Sequence, residues 1–256
     1  MRTSFALVFL IAVSAVAADP KIAPDESFTI AEFARRGAPA PDHQWGADEY
    51  QRLVKTLQPI AESSPRRLPR FDSRFSGAMM SRVIAQENFG TLHDKTIDLK
   101  QRVAQGMALA QAGAQLAGVY ITGTNKGESF DRELVELMGW LMRVNLELWS
   151  LADELLTRMT PEQRARPNKG LDTMREGSAQ MVDGVLTSLT ETDIYRQREL
   201  RRLATLITPT LPKVMQRLPP QSAAEARARL RRLVAEVPDK ELAQQIRMLI
   251  TTVDHP

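Results

Sequence analysis

The stretch QGMALAQAGAQLAGVYITG, residues 105–123, decides the fold class of this chain. It belongs to a run without charged residues, 103–125, that is long enough to cross a bilayer, yet it contains three glutamines. At about 100° per residue, one narrow stripe of a helix collects its small residues. These are Gly106, Ala110, Gly113 and Ala117. Because a glycine inside a helix costs ~1 kcal/mol relative to alanine, we expect close packing against another helix to compensate for that cost.

A membrane span is the alternative interpretation, since small residues also mediate contacts between membrane helices. The glutamines, the mean hydropathy of −0.28 and the amphipathic segments on either side oppose it. We therefore predict a core helix rather than a membrane span.

A second glycine stripe is predicted in REGSAQMVDGVLTSL, residues 175–189, where Gly177 and Gly184 are seven residues apart. The equal spacing makes this stripe the predicted packing partner of the first. After each glycine helix come a polar turn, an aromatic residue and a helix containing Glu-Leu, at 127–141 and 191–207. This similarity indicates either a weak internal duplication or a chance likeness between amphipathic helices.

The rest of the chain also has helical periodicity. From residue 76 to 253 nearly every segment repeats apolar residues at steps of three and four, and no alternating strand pattern occurs. In FDRELVELMGWLMRVNLELWSLADELL, residues 130–156, the apolar stripe covers about half the circumference, which is typical of a central helix. TPEQ at 160–163 and SAAE at 222–225 resemble helix N-terminal capping boxes. We predict an all-α fold, either a multi-helix bundle or an irregular helical array with close Gly/Ala contacts.

The N-terminal sequence predicts export. Residues 1–18, MRTSFALVFLIAVSAVAA, have the basic start, the apolar segment and the A-x-A site of a secretory signal peptide. We expect cleavage to leave a mature N-terminus at Ala18 or Asp19 and to place the protein in the periplasm or outside the cell. Residues 19–46 form a proline-rich arm that we expect to contribute little to the fold, and residues 47–256 a single helical domain.

The sequence lacks the residues that several kinds of functional site require. There is no cysteine, and none of the three histidines has a His or Glu at the helical spacing of a metal site. Nucleophile-elbow and phosphate-loop motifs do not occur either. We therefore predict no catalytic, cofactor-binding or metal-binding residue. The 34 basic and 31 acidic residues are too balanced to indicate nucleic acid binding.

Two arginine-rich segments, YRQRELRR at 195–202 and EARARLRR at 225–232, are candidates for contact with an anionic partner. The contact would require their side chains to converge in space. The alternative is an ordinary solvated helix face. The candidate residues are Arg196, Arg198, Arg201, Arg202, Arg227 and Arg231.

Together these patterns predict an exported, non-catalytic helical protein that acts in protein–protein interaction or scaffolding in the bacterial envelope. Its partner would be another envelope protein. The alternative is a helical enzyme, or a carrier of a small ligand or lipid, with a pocket between helices 130–159 and 171–190. An exposed apolar groove would favour the first function, and a closed pocket with an inward arginine or glutamate the second.

Overall fold

A computed structural model describes residues 27–40, 44–164, 169–191 and 194–254. In these ranges the chain folds into α-helices and short 3-10 turns without a strand, so the predicted all-α class is confirmed. None of the helices in the described ranges is long and apolar enough to span a bilayer. The predicted signal peptide, residues 1–18, and residues 19–26 and 41–43 of the predicted arm lie outside the described residues.

The helices follow one another along the chain, with 3-10 turns at Pro65–Arg67 and Gln86–Phe89. They are α1 (Ile30–Arg35), α2 (Ala47–Ser63), α3 (Gly77–Val83), α4 (Gly90–His93), α5 (Leu99–Thr124), α6 (Asp131–Thr157), α7 (Pro161–Arg164), α8 (Lys169–Ser188), α9 (Gln197–Ile207), α10 (Leu211–Met215), α11 (Pro220–Glu236) and α12 (Lys240–Asp254).

The described residues divide into two compact units, and the division falls inside α6. The N-terminal unit ends at Leu151 and the C-terminal unit begins at Ala152. The single domain predicted over 47–256 stays a prediction. The boundary between the units lies inside a continuous helix, so no Pro-, Gly- or Ser-rich linker marks it in the sequence.

In the N-terminal unit α2 packs on α5, and the glycines of α5 pack against side chains of α6. Trp140 of α6 is fully buried, and its ring stacks on Tyr50 of α2 with a centroid separation of 5.0 Å. Phe89 stacks on the same indole at 6.2 Å. Aromatic pairs at these distances contribute beyond the area that they bury, so Trp140 is held rigidly at the centre of the unit.

The first glycine stripe lies against α6. A Cβ atom added to Gly113 would lie 3.0 Å from Leu141 Cδ2 and closer still to the ring of Trp140. A Cβ atom on Gly106 would lie 2.7 Å from Leu148 Cδ2. Ala117 is also buried, whereas Ala110 is half-buried at the edge of the stripe. The stripe therefore packs closely against a helix, as its composition predicts.

The predicted partner of this stripe is wrong. The space over Gly113 is filled by side chains of α6, and a Cβ atom on Gly177 would meet no atom within 4 Å. Gly184 is half-buried. Equal glycine spacing in two helices does not make them packing partners. The space that a glycine leaves on a helix surface can be filled by a large aromatic ring as well as by the backbone of a second helix.

The described part of the arm is an integral part of the N-terminal unit, contrary to prediction. Phe33 and Trp45 are fully buried and Phe28 is only 6% exposed. Ile30 N donates a hydrogen bond of 3.0 Å to the carbonyl oxygen of Phe75. Apolar residues are few in this segment, but they are large, and one buried aromatic side chain removes roughly 150–250 Å² from water.

The C-terminal unit contains α7 to α12, in which α9 and α11 both pack on α12. Its core consists of leucine and isoleucine side chains that are fully buried, among them Leu200, Leu203, Ile207, Leu230, Leu233 and Leu249. The apolar faces of these amphipathic helices therefore pack together into the hydrophobic core of the C-terminal unit.

The two predicted capping boxes differ in outcome. At α7, Thr160 N donates to Gln163 Oε1 at 2.9 Å and Gln163 N donates to Thr160 Oγ1 at 3.3 Å, so this box is confirmed. Ser222 is not an N-cap, because α11 begins two residues earlier, at Pro220. Proline at the first helical position is favoured, since its missing N–H would have no partner there.

Candidate functional site

A groove of about 780 Å³ runs between α8 and α11 in the C-terminal unit. It is open to solvent, because residues of its walls such as Gln180 and Glu225 are exposed. Its apolar floor consists of Ala179, Val182, Leu186, Leu218 and Ala226. The small alanines on both helices leave room for another chain to approach closely.

Each wall of the groove is one stripe of a helix. On α11 the lining residues recur at alternating steps of three and four, namely Ser222, Glu225, Arg229, Arg232 and Glu236. On α8 the lining runs from Ala179 to Leu186, and Thr190 lines the groove just beyond the end of that helix. At a rise of 1.5 Å per residue the α11 wall is about 21 Å long and the α8 wall is about 11 Å long. The groove is therefore an elongated surface of several helical turns.

The rim of the groove carries charges of both signs. Arg229 binds Asp183 across the groove and donates to Thr187 Oγ1 at 2.8 Å. Arg232 and Glu236 are exposed and form no ion pair within the described ranges. Glu225 is likewise exposed and without an ion pair in these ranges, so α11 presents one unpaired cation and two unpaired anions at the rim.

The arginines singled out in the sequence do not form a single anion site. Arg201 binds Glu241 and lies 3.7 Å from Asp239, at the start of α12. Arg231 Nη2 lies 3.0 Å from Asp254 Oδ2, at the end of that helix. These two positions are separated by the length of α12, about 22 Å. The arginines tie α9 and α11 to α12 through carboxylates and so do not converge on an external anion.

The remaining predicted arginines also lie away from the groove lining. Arg198 Nη2 is 2.7 Å from the buried carboxylate of its neighbour Glu199. Arg196 and Arg202 are exposed and Arg227 is half-buried. The arginines that do line the groove, Arg229 and Arg232, belong to the arginine-rich segment 225–232.

Sequence analysis also missed a buried carboxyl group in the N-terminal unit. Glu133 is 2% exposed, and its Oε1 accepts a hydrogen bond of 3.0 Å from Phe71 N. Burial raises the pKa of this carboxyl to about 7, against the lowering effect of the Phe71 N–H and of Arg70. The available signal was a glutamate three residues after Phe130 and four before Leu137, inside the apolar stripe of α6.

Tyr120 makes a second buried attachment near Glu133. Its hydroxyl donates to the carbonyl oxygen of Pro69 at 2.9 Å. Burial raises the pKa of this phenol, and the charge of Glu133 raises it further. Glu133 and Tyr120 thus fasten the loop after α2 to α6 and α5. Both contacts are made to the backbone of this chain, which indicates a structural role.

The described residues contain no group of three or more histidine, aspartate or glutamate side chains placed to hold a metal ion. Comparison with protein-family models, with curated proteins and with solved structures finds no match to this chain.

Proposed function

We propose that this chain is an exported, non-catalytic protein of the bacterial envelope that binds an amphipathic helix of a partner protein in the groove between α8 and α11. Export is supported by the signal-peptide features of residues 1–18. The observation that carries the binding function is the open groove with an apolar floor and a charged rim.

The shape of the groove fits a helix. Two adjacent helices leave a furrow between them, and a third helix can bury an apolar stripe there. Walls of about 11 and 21 Å match a partner helix of roughly 7–14 residues at 1.5 Å per residue. Ala179 on α8 and Ala226 on α11 line the groove with small side chains, which would let such a helix approach closely.

The charges of the rim favour a polypeptide over a polyanion or a lipid. Arg232 and Glu236 are one helical turn apart and of opposite sign, which suits a partner helix that itself carries both signs. A uniformly anionic polymer would be repelled by Glu225 and Glu236. A lipid carrier would be expected to enclose most of the acyl chain, whereas this groove is open along its rim.

The alternative function, a carrier of a small ligand or lipid, was predicted to use a pocket between the segments 130–159 and 171–190. The groove shares one wall of that predicted pocket, the segment 171–190. The other wall of the groove is α11, not the segment 130–159. A carrier function therefore becomes one of the outcomes of the experiment on the groove.

Site-specific photo-crosslinking in cells that express the protein tests the proposal. A benzophenone amino acid replaces Gln180, which is exposed on the groove, or Gln244, which is exposed on α12 outside the lining. We expect Gln180, and not Gln244, to crosslink to a protein segment with apolar residues three and four apart. Ala179→Trp should abolish this crosslink by filling the floor, while circular dichroism shows that the fold is intact.

Two results would overturn the proposal. An adduct at Gln180 with the mass of a lipid would show that the groove carries a ligand. A protein adduct that persists unchanged in Ala179→Trp would show that the crosslinked partner does not occupy the groove.

A further inference from the structure

A second surface, in the N-terminal unit, is strongly basic. The segments 33–40 and 64–77 contain six arginines and a single carboxylate. The arginines are Arg35, Arg36, Arg66, Arg67, Arg70 and Arg74. We call these six residues, together with Phe28 and Phe75, the arginine–phenylalanine surface. It belongs to neither the groove nor the arginine clusters of the C-terminal unit.

The fold brings the two segments together around residues 27–30. Phe28 N donates to the carbonyl oxygen of Arg67 at 3.4 Å, and Ser27 Oγ and Ser73 Oγ are 2.6 Å apart. The guanidinium carbons of Arg36 and Arg67 lie 4.4 Å and 3.5 Å from the centroid of the Phe28 ring. The two like charges are therefore within about 8 Å of each other.

The carboxylates nearby neutralise only part of this charge. Glu128 binds Arg66 at 2.8 Å and lies 3.8 Å from Arg70, and Glu32 lies 3.4 Å from Arg67. The other three arginines are exposed and form no ion pair among the described residues; they are Arg35, Arg36 and Arg74. Within the described part of the chain, an excess of exposed positive charge therefore remains on this surface.

We propose that the arginine–phenylalanine surface docks on the anionic headgroups of a phospholipid membrane. A guanidinium group matches a phosphate group with two parallel N–H donors, and phosphate oxygens would offset the repulsion between Arg36 and Arg67. Arg74 stacks on Phe75 at 4.5 Å, and Phe75 is half-buried. Phenylalanine side chains beside basic residues favour the boundary between headgroups and acyl chains, while the arginines contact the headgroups.

Co-sedimentation with phospholipid vesicles tests this proposal. The purified protein should bind vesicles that contain phosphatidylglycerol, should not bind vesicles of phosphatidylcholine alone, and should dissociate as salt is raised. A triple variant, Arg35→Gln, Arg36→Gln and Arg74→Gln, should bind on the order of 100-fold more weakly, since each arginine near an anionic surface contributes a roughly fivefold gain.

A matched control variant removes the same charge elsewhere. Arg164→Gln, Arg227→Gln and Arg247→Gln should leave vesicle binding within about twofold of the parent protein, since these arginines lie outside both this surface and the groove. Equal weakening in both triple variants would show that net charge alone drives binding, which overturns the proposal. Binding that inorganic phosphate abolishes at constant ionic strength would reveal a phosphate site in place of a membrane surface. The groove proposal would be unaffected by either result.

Discussion

Replacing Gly113 by alanine tests the packing of α5 against α6 with one added carbon atom. The new Cβ would lie 3.0 Å from Leu141 Cδ2 and would overlap the ring of Trp140. Trp140 has little freedom to move, because it is fully buried and its indole stacks on the rings of both Tyr50 and Phe89. We therefore expect Gly113→Ala to destabilise the protein by overpacking.

The same helix provides the matched control. Gly118 is half-buried in α5, and a Cβ atom there would meet no atom within 4 Å. Both substitutions gain the same helix propensity, ~1 kcal/mol. Only Gly113→Ala also has the cost of overpacking, ~1–3 kcal/mol. The difference in unfolding free energy between the two variants therefore isolates the packing cost, and Gly118→Ala itself should be more stable than the parent protein.

Urea unfolding followed by far-UV circular dichroism measures both free energies, and the near-UV signal reports whether Trp140 has moved. Gly113→Leu should be destabilised further than Gly113→Ala, because the longer side chain meets the same rigid ring. If the unfolding free energies of Gly113→Ala and Gly118→Ala agreed within about 0.5 kcal/mol, this would refute the conclusion that Trp140 packs too closely against position 113 for a larger residue.

Three further predictions concern the arm, the buried carboxyl and export. Phe33→Ala should lower the unfolding free energy by ~3–5 kcal/mol through the cavity that it leaves, whereas Arg35→Ala should change it by less than ~0.5 kcal/mol; a small effect of Phe33→Ala in urea unfolding would show that the arm is dispensable. Because the pKa of Glu133 is about 7 in the folded protein and 4.5 is its ordinary value, the folded state binds more protons between these pH values and stability falls as pH rises. Glu133→Gln should remove this loss and so gain up to about 3 kcal/mol relative to the parent protein between pH 4.5 and pH 8, and parallel pH profiles of the two proteins would contradict it. Mass spectrometry of the native protein should find Ala18 or Asp19 at its N-terminus, and a retained Met1 would exclude cleavage there.

Local patterns in the sequence were sufficient for the helical class and for several of its details. Apolar periodicity and capping depend on residues within a few positions of one another, so the helix at 131–157 and the capping box at Thr160 were predictable. The small-residue stripe through Gly106 and Gly113 likewise indicated close packing without any knowledge of the fold.

What lies against a stripe, or covers a side chain, depends on residues that are distant in the sequence. The choice of Trp140 over a second glycine helix, the burial of Phe33 and the low exposure of Glu133 all required the tertiary structure. The groove between α8 and α11 could not be predicted from the sequence for the same reason. Its alternating charges have the pattern of a solvated face, and only the packing of the two helices shows that this face borders an apolar floor.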